Sequence, residues 1–301
     1  MSSRRLIRVL LIGAIIGITV ATVILFVKSH KPTAAQIAEG QAQFGKGMKA
    51  CLRGDFGGPR QGSDVTIQEF CEQNVNLADY IQGDRYALVG LPDQLLGTSF
   101  LVIVMALVIG ASSIGAEWEA GTVTTLLAWE PRRARVLLMR LLVVAITVAL
   151  IAFFLEAILG SVLSLVAATR GSTAGTGGLG TAWFHDVWAA TLRIIVIAVV
   201  ASGIGLALAT IGRRTVAALG VTFVYLALFE SLLHGLRPSI SSWLLGVNVA
   251  TYLQGRPTEI QLSDFQKSIF IGPTHGLLIA CAYAAGLVVI ALLLFRARDV
   301  N

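Results

Sequence analysis

Charged residues are scarce in this sequence. Asp, Glu, Lys and Arg together make up 13% of the 301 residues, whereas hydrophobic residues make up 55%. Soluble domains carry roughly 25% charged residues, so this deficit excludes an ordinary soluble fold. The mean hydropathy of +0.79 agrees with that exclusion. The composition therefore predicts an integral membrane protein.

Signatures of metal and nucleotide sites are also missing. No cluster of His, Cys, Asp and Glu has the spacing of a metal site. Residues 40–46 fit the start of a phosphate-binding P-loop, but Gly47 replaces the Ser or Thr that would hold Mg²⁺, and no buried strand precedes it. We therefore expect no cofactor or metal in this chain. Nucleic acid is not an expected partner either, because the net charge of +6 comes from arginines that flank the apolar runs.

Six apolar runs are long enough to cross a membrane as helices, for which about 20 residues suffice. The third is longer than one crossing needs, so we expect it to tilt or to break near Gly160. The predicted fold is all-α, a single polytopic domain over residues 1–301 with six transmembrane helices. The runs are 6–27, 95–114, 136–166, 189–211, 216–233 and 276–295.

Arginine clusters predict the orientation. They precede the first run, follow the second, separate the fourth from the fifth, and follow the sixth. Six crossings place all these clusters on one side, which the positive-inside rule makes cytoplasmic. Both termini are therefore expected in the cytoplasm, and the protein in the cytoplasmic (inner or plasma) membrane. The clusters contain Arg4, Arg5, Arg8, Arg132, Arg133, Arg135, Arg140, Arg213, Arg214, Arg296 and Arg298.

A long segment, residues 28–94, is expected to form an extracytoplasmic cap between the first two spans. Its composition predicts one helix over 34–52 and a second over 66–80. Cys51 and Cys71 both lie in it, and an exported pair in an oxidising compartment is a disulfide candidate. Two free thiols are the alternative.

A second outer segment, residues 236–273, is expected to join spans five and six. Ser241 and Ser242 are candidates to cap a short helix that continues to Leu253. Because Trp243 and its apolar neighbours need an apolar surface, we expect this helix to be re-entrant or interfacial.

Ionisable side chains inside the spans are candidates for function, because each is costly in a membrane unless it faces protein or water. Glu156 lies in the third run, and Glu230 and His234 share one face of the fifth. They are candidates to line a substrate path, and hydrogen bonds that fix the bundle are the alternative. With Ser231 they also provide the residue types of a hydrolase, although the Gly-x-Ser-x-Gly elbow is absent.

The segment between the second and third runs combines acidic, apolar and basic parts. It begins with Glu117, Trp118 and Glu119, continues through an apolar stretch of helix length, and ends with a proline and two arginines. A loop that only reversed the chain would not need these features. The pattern predicts a short helix within residues 115–135, at the membrane surface, that contacts a soluble partner.

At this segment the chain resembles the membrane subunits (permeases) of the second family of ATP-binding-cassette exporters. Those subunits have a Glu-x-Glu-x-Gly-Thr element after the second span, then leucines, then a proline and a basic residue that open the third span. Trp118 and Arg132 stand between positions that match, and they are not part of the motif themselves. The matching residues are Glu117, Glu119, Gly121, Thr122, Leu126, Leu127, Pro131 and Arg133.

The resemblance implies a permease that moves a substrate out across the cytoplasmic membrane. Residues 115–135 would contain the coupling helix, which docks on a separate cytoplasmic ATPase that binds ATP and Mg²⁺. Two permease subunits, identical or different, and two ATPases would form the working unit among membrane lipids. An intramembrane enzyme (hydrolysis or acyl transfer) that uses Glu156, Glu230, Ser231 and His234 is an alternative from another class, and a non-transporting scaffold or sensor is a third.

Overall fold

A computed structural model describes most of the chain, and its contacts divide it into two units. Unit 1 comprises Met1–Ile18, Gly90–Ser161 and Thr176–Asn301, and unit 2 comprises Thr19–Val89 and Val162–Gly175. The residues outside the description are 1, 30–32, 56–65, 76, 81–85, 123–132, 174–175, 177–180, 262–267 and 298–301.

Helices dominate the described residues. In chain order they are α1 (Ser2–Lys28), α2 (Ala34–Leu52), α3 (Ile67–Asn74), α4 (Leu77–Tyr80), α5 (Leu91–Glu119), α6 (Arg133–Thr169), α7 (Ala182–Gly212), α8 (Thr215–Val224), α9 (Ser231–Leu236), α10 (Leu245–Gln254) and α11 (Pro273–Ala297). Two 3₁₀ helices (Leu88–Gly90 and Pro238–Trp243), a π-helix (Tyr225–Glu230), and the strands β1 (Thr258–Gln261) and β2 (Ser268–Ile271) are also present.

Six helical stretches within the described residues are long and apolar enough to cross a membrane, which confirms the all-α polytopic fold. The fifth is composite, because α8, the π-helix and α9 follow one another without a break. Of the two alternatives for the third span, a break near Gly160 is wrong, because α6 is one helix of 37 residues that continues through Gly160. A single glycine costs a helix only about 1 kcal/mol relative to alanine, too little to end it.

The core of unit 1 is the pair α5 and α7. These helices approach closely because glycines stand at their contact: a Cβ on Gly110 would collide with the main chain of Ser202, and one on Gly205 with that of Leu107. Small residues at such contacts are the usual basis of helix packing in membranes, where the hydrophobic effect does not drive helices together. The α5–α7 pair is therefore the most closely packed part of unit 1 that the glycine contacts define.

In unit 2, Cys51 and Cys71 form a disulfide with their Cα atoms 5.8 Å apart, which confirms the predicted pairing. Both residues are fully buried. The helix predicted over 66–80 is instead two helices, α3 and α4. Val75, with φ −108° and ψ 103°, is extended and ends α3.

Unit 2 also contains a cluster around Ser29. The Ser29 hydroxyl accepts a hydrogen bond from the Tyr86 main-chain N–H at 2.9 Å. The Arg170 guanidinium lies over the Phe26 ring, 4.0 Å from its centroid. Burial raises the pKa of the Tyr86 phenol to about 12. These contacts join the end of α1, the end of α6 and the residues before α5.

The segment between spans five and six, in unit 1, differs from the prediction at both ends. Ser241 and Ser242 lie in a 3₁₀ helix, and α10 begins only at Leu245. An antiparallel hairpin follows, with Thr258 opposite Ile271. Sequence patterns did not reveal this hairpin, because four-residue strands are too short to show a clear alternation.

Candidate functional site

The acidic end of α5 is the centre of a cluster that joins five helix ends. We call this cluster the Trp118 junction. It joins the end of α5 to the start of α6, the turn between α7 and α8, and the end of α11. Its residues are Gly115, Glu117, Trp118, Glu119, Arg140, Arg213, Thr215 and Phe295.

Glu117 connects α5 to α6 through Arg140. The Arg140 Nη2 lies 2.6 Å from one Glu117 carboxylate oxygen and 2.7 Å from the other. Its Nη1 donates to the main-chain carbonyl of Ser113 at 2.8 Å. One guanidinium thus holds two successive turns of α5. The Arg140 side chain is 18% exposed and that of Glu117 is 35% exposed, so solvent weakens the ion pair. Its main effect is to fix the orientation of the end of α5 relative to α6.

Trp118 packs between an aromatic ring and a cation. Its ring meets Phe295 of α11 edge-on, with the centroids 6.1 Å apart. The Arg213 Cζ lies 5.0 Å from the centroid of the same ring, which is within the range of a cation–π contact. The buried indole nitrogen has no hydrogen-bond partner among the described residues.

Glu119 connects α5 to the start of α8. Its Oε1 accepts a hydrogen bond from the main-chain N–H of Thr215 at 3.3 Å. Arg214, at the N-cap position of α8, makes no side-chain cap, so Glu119 provides the acceptor from another helix. A carboxylate is favourable there because the first N–H groups of a helix lack partners and carry partial positive charge. Gly115 allows the approach, since a Cβ there would collide with Thr215.

The predicted bounds of the coupling helix need correction. Residues 115–119 continue α5, because nothing in Gly115–Glu119 stops a helix, and α5 ends at Glu119. The chain then turns at Gly121, whose φ of +70° favours glycine. The Thr122 hydroxyl donates to the carbonyl of Glu117 at 3.3 Å.

At the other end of the segment, α6 begins at Arg133, whose side chain is not described. The predicted residues Leu126, Leu127, Pro131 and Arg132 lie outside the described residues. Their part in a coupling helix stays a prediction.

Glu230, predicted on a substrate path, contacts the start of α10. Its Oε1 accepts a hydrogen bond from the N–H of Val247 at 3.0 Å, and its buried Oε2 has no partner among the described residues. The N–H of Leu245 donates to the Tyr225 hydroxyl at 3.5 Å. Two of the first three N–H groups of α10 thus find acceptors on the fifth span, and this favours the structural alternative for Glu230.

His234 is exposed, and its Nδ1 lies 2.7 Å from the Ser241 hydroxyl. It borders a cavity of about 400 Å³ together with residues of α10 and β1. Ser231 makes no hydrogen bond to His234 in the described structure, so these two do not form a nucleophile and base pair. Glu156 lies on α6, is 3% exposed, and has one carboxylate oxygen without a partner among the described residues. The four residues are not assembled as a hydrolase would require.

Residues 2–300 match the sequence profile described as ABC-2 family transporter protein. The chain belongs to the ABC-2 transporter family. Membership confirms the resemblance seen at the acidic element, and it makes the protein a multi-pass membrane component of a transporter. No curated protein and no solved structure matches the chain.

Within this ABC-2 protein, the sequence identified Glu117, Trp118 and Glu119 but not their partners. Arg140 and Arg213 were counted only as charges that set the orientation. Phe295 looked like any other apolar residue in a span. A positive-φ residue between two helices has no simple sequence signal when it is not glycine, so the turn at Arg213 was also missed.

Proposed function

We propose that this protein is the permease subunit of an ATP-binding-cassette exporter, with the Trp118 junction on the cytoplasmic side of the membrane. The supporting observation is the attachment of the acidic end of α5 to four other helix ends. The positive-inside rule supports the orientation, because the exposed arginines Arg135, Arg213, Arg214 and Arg296 lie at the helix ends that meet there.

A separate ATPase would bind ATP and Mg²⁺ and would dock on the segment that follows Gly121. Movement of that segment would act first on the last turn of α5. From there, the Glu117–Arg140 pair would carry it to α6, and the close contact of Gly110 with Ser202 would carry it to α7. Small displacements at one helix can be passed to the helices packed against it, because packed helices can adopt only a few discrete arrangements.

At the opposite end of α11, we place α10 and the β-hairpin on the outer face. The His275 Nδ1 lies 3.2 Å from the Asn248 Oδ1, and a Cβ on Gly276 would collide with the main chain of Asn248. These contacts hold α10 against the start of the last span. Substrate would leave near this layer, between two permease subunits, identical or different, whose remaining apolar faces contact lipid.

The test is co-expression with a P-loop ATPase, to be sought in the reading frames that neighbour this gene. We expect the ATPase to co-purify with the permease and to hydrolyse ATP faster in the complex. Glu117→Lys should abolish transport while leaving insertion intact, because it places two cations together at Arg140. The charge-exchanged variant Glu117→Arg with Arg140→Glu is the matched control and should recover most of the activity. Failure of the ATPase to co-purify with the wild-type protein would contradict the proposal.

A further inference from the structure

The turn between α7 and α8 has an unusual backbone. Arg213 has φ 54° and ψ 16°, and it is the only residue other than glycine with positive φ among the described residues. This left-handed conformation is costly for a residue with a Cβ, and glycine is the usual solution at a helix end. An arginine here indicates that its side chain contributes something that glycine would lack.

The side chain of Arg213 is directed at Trp118. Its guanidinium lies over the indole ring, and Phe295 meets the same ring edge-on. Trp118 itself stands between Glu117 and Glu119, which contact α6 and α8. The ring therefore lies in the last turn of α5, between the residues that contact α6 and α8.

The turn contacts the end of α5 at three points. Arg213 covers Trp118, the Thr215 N–H donates to Glu119, and Thr215 packs on Gly115. The left-handed backbone makes this possible, because it reverses the chain within two residues between α7 and α8. The last turn of α5 is thus held on one side by α6 and on the other by this turn.

We propose that Arg213 is a positioning residue for ATPase coupling: its guanidinium, over Trp118, holds the last turn of α5 so that the segment after Gly121 meets the ATPase in one orientation. The proposal rests on the proposed function, because it assigns to that segment the docking of an ATPase. The proposal adds Arg213, which lies 95 positions after Trp118 in the sequence and outside the acidic element.

The first test needs no ATPase. Amide hydrogen exchange of residues 117–122 is measured on the purified full chain in lipid nanodiscs, for the wild type, Arg213→Gly, Arg213→Lys and Arg214→Ala. Glycine keeps the left-handed backbone and removes the guanidinium, whereas lysine keeps a cation. We expect exchange to be about two- to fivefold faster in Arg213→Gly. Arg213→Lys should be closer to the wild type, and Arg214→Ala, which removes a neighbouring exposed charge, should equal it.

Unchanged exchange in Arg213→Gly would overturn the proposal. Equal acceleration in Arg214→Ala would also overturn it, since the effect would then come from charge in general. A second variant, Trp118→Leu, sharpens the test: Arg213→Gly should accelerate exchange much less in the Trp118→Leu background than in the wild type, because the guanidinium then has no indole ring to cover.

The second test uses the complex with its ATPase. The substrate transported per ATP hydrolysed should fall in Arg213→Gly and recover in Arg213→Lys, while both variants still bind the ATPase. An unchanged ratio in Arg213→Gly, with the exchange result as expected, would overturn the coupling role of Arg213. If the wild type binds no ATPase, the proposed function fails instead, and the exchange experiment separates the two failures.

Discussion

Two carboxylates cap helices at opposite ends of α11, and they differ in burial. Glu119, at the Trp118 junction, is exposed and accepts one N–H of α8 at 3.3 Å. Glu230 is 7% exposed and accepts the N–H of Val247 in α10 at 3.0 Å. The exposed contact is easily broken, because water can replace either partner. The buried contact is not, because no water would replace the partner that the Val247 N–H loses.

This difference separates a contact suited to movement from one suited to anchoring. Under the proposed function, the permease needs one end that moves with an ATPase and a frame that keeps its shape. The exposed cap at Glu119 fits the first need, and the buried cap at Glu230 fits the second. The structure therefore favours a structural role for Glu230, against the substrate path that its intramembrane position first suggested.

The largest effect is expected at the buried cap. Glu230→Ala leaves the buried N–H group of Val247 unpaired, which should destabilise α10 by about 1–3 kcal/mol. Amide exchange across α10 and thermal unfolding of the purified protein measure this. Glu230→Gln is the matched control, since its carbonyl oxygen still accepts one hydrogen bond. An alanine variant as protected as the wild type would remove the distinction between the two caps.

The next effect is expected at Gly121, beside the exposed cap. Gly121→Ala forces a Cβ into a left-handed backbone and should cost about 1–2 kcal/mol, although nothing lies within 4 Å of that Cβ. The loss should appear as faster exchange after α5 and as weaker coupling to the ATPase. Gly97→Ala is the control, because Gly97 lies within α5 and also has open space around it. Equal effects of the two substitutions would show that the turn at Gly121 is not special.

Features that depend on neighbouring residues could be predicted from the sequence, and contacts between residues far apart in the sequence could not. The spans follow from local hydropathy, because a lipid core demands about 20 apolar residues wherever a helix crosses it. The acidic element could be recognised in the sequence because its residues lie within a few positions of one another. The contacts of Glu117 with Arg140 and of Trp118 with Arg213 join residues 23 and 95 positions apart, and no local pattern specifies them.

Glu230 shows a second limit of prediction from the sequence: the residue was identified, but its role was not. The rule that an intramembrane carboxylate serves function identified the right residue for further study. It could not distinguish a substrate path from a helix cap, because the start of α10 lies after a 3₁₀ helix whose end the sequence did not reveal. Burial and the hydrogen bond from the Val247 N–H favour the helix cap, and the substrate path stays a prediction.

The smallest stability effect is expected at the exposed cap. Glu119→Ala should cost about 0.3–1 kcal/mol, the usual contribution of a charge at a helix end. Unfolding should therefore be almost unchanged, while amide exchange at the start of α8 rises. The contribution should shrink as salt is added, because the pair is exposed. An effect that is as large as that of Glu230→Ala and does not respond to salt would show that Glu119 is buried in solution.

The account rests on the claim that the Trp118 junction couples to the ATPase and that the α10 cap does not. The direct test is the amount of substrate transported per ATP hydrolysed by the reconstituted complex, compared for Glu119→Ala and Glu230→Gln. We expect Glu119→Ala to lower this ratio although the protein stays folded, and Glu230→Gln to leave it close to the wild-type value. A normal ratio in Glu119→Ala together with a reduced ratio in Glu230→Gln would contradict the account.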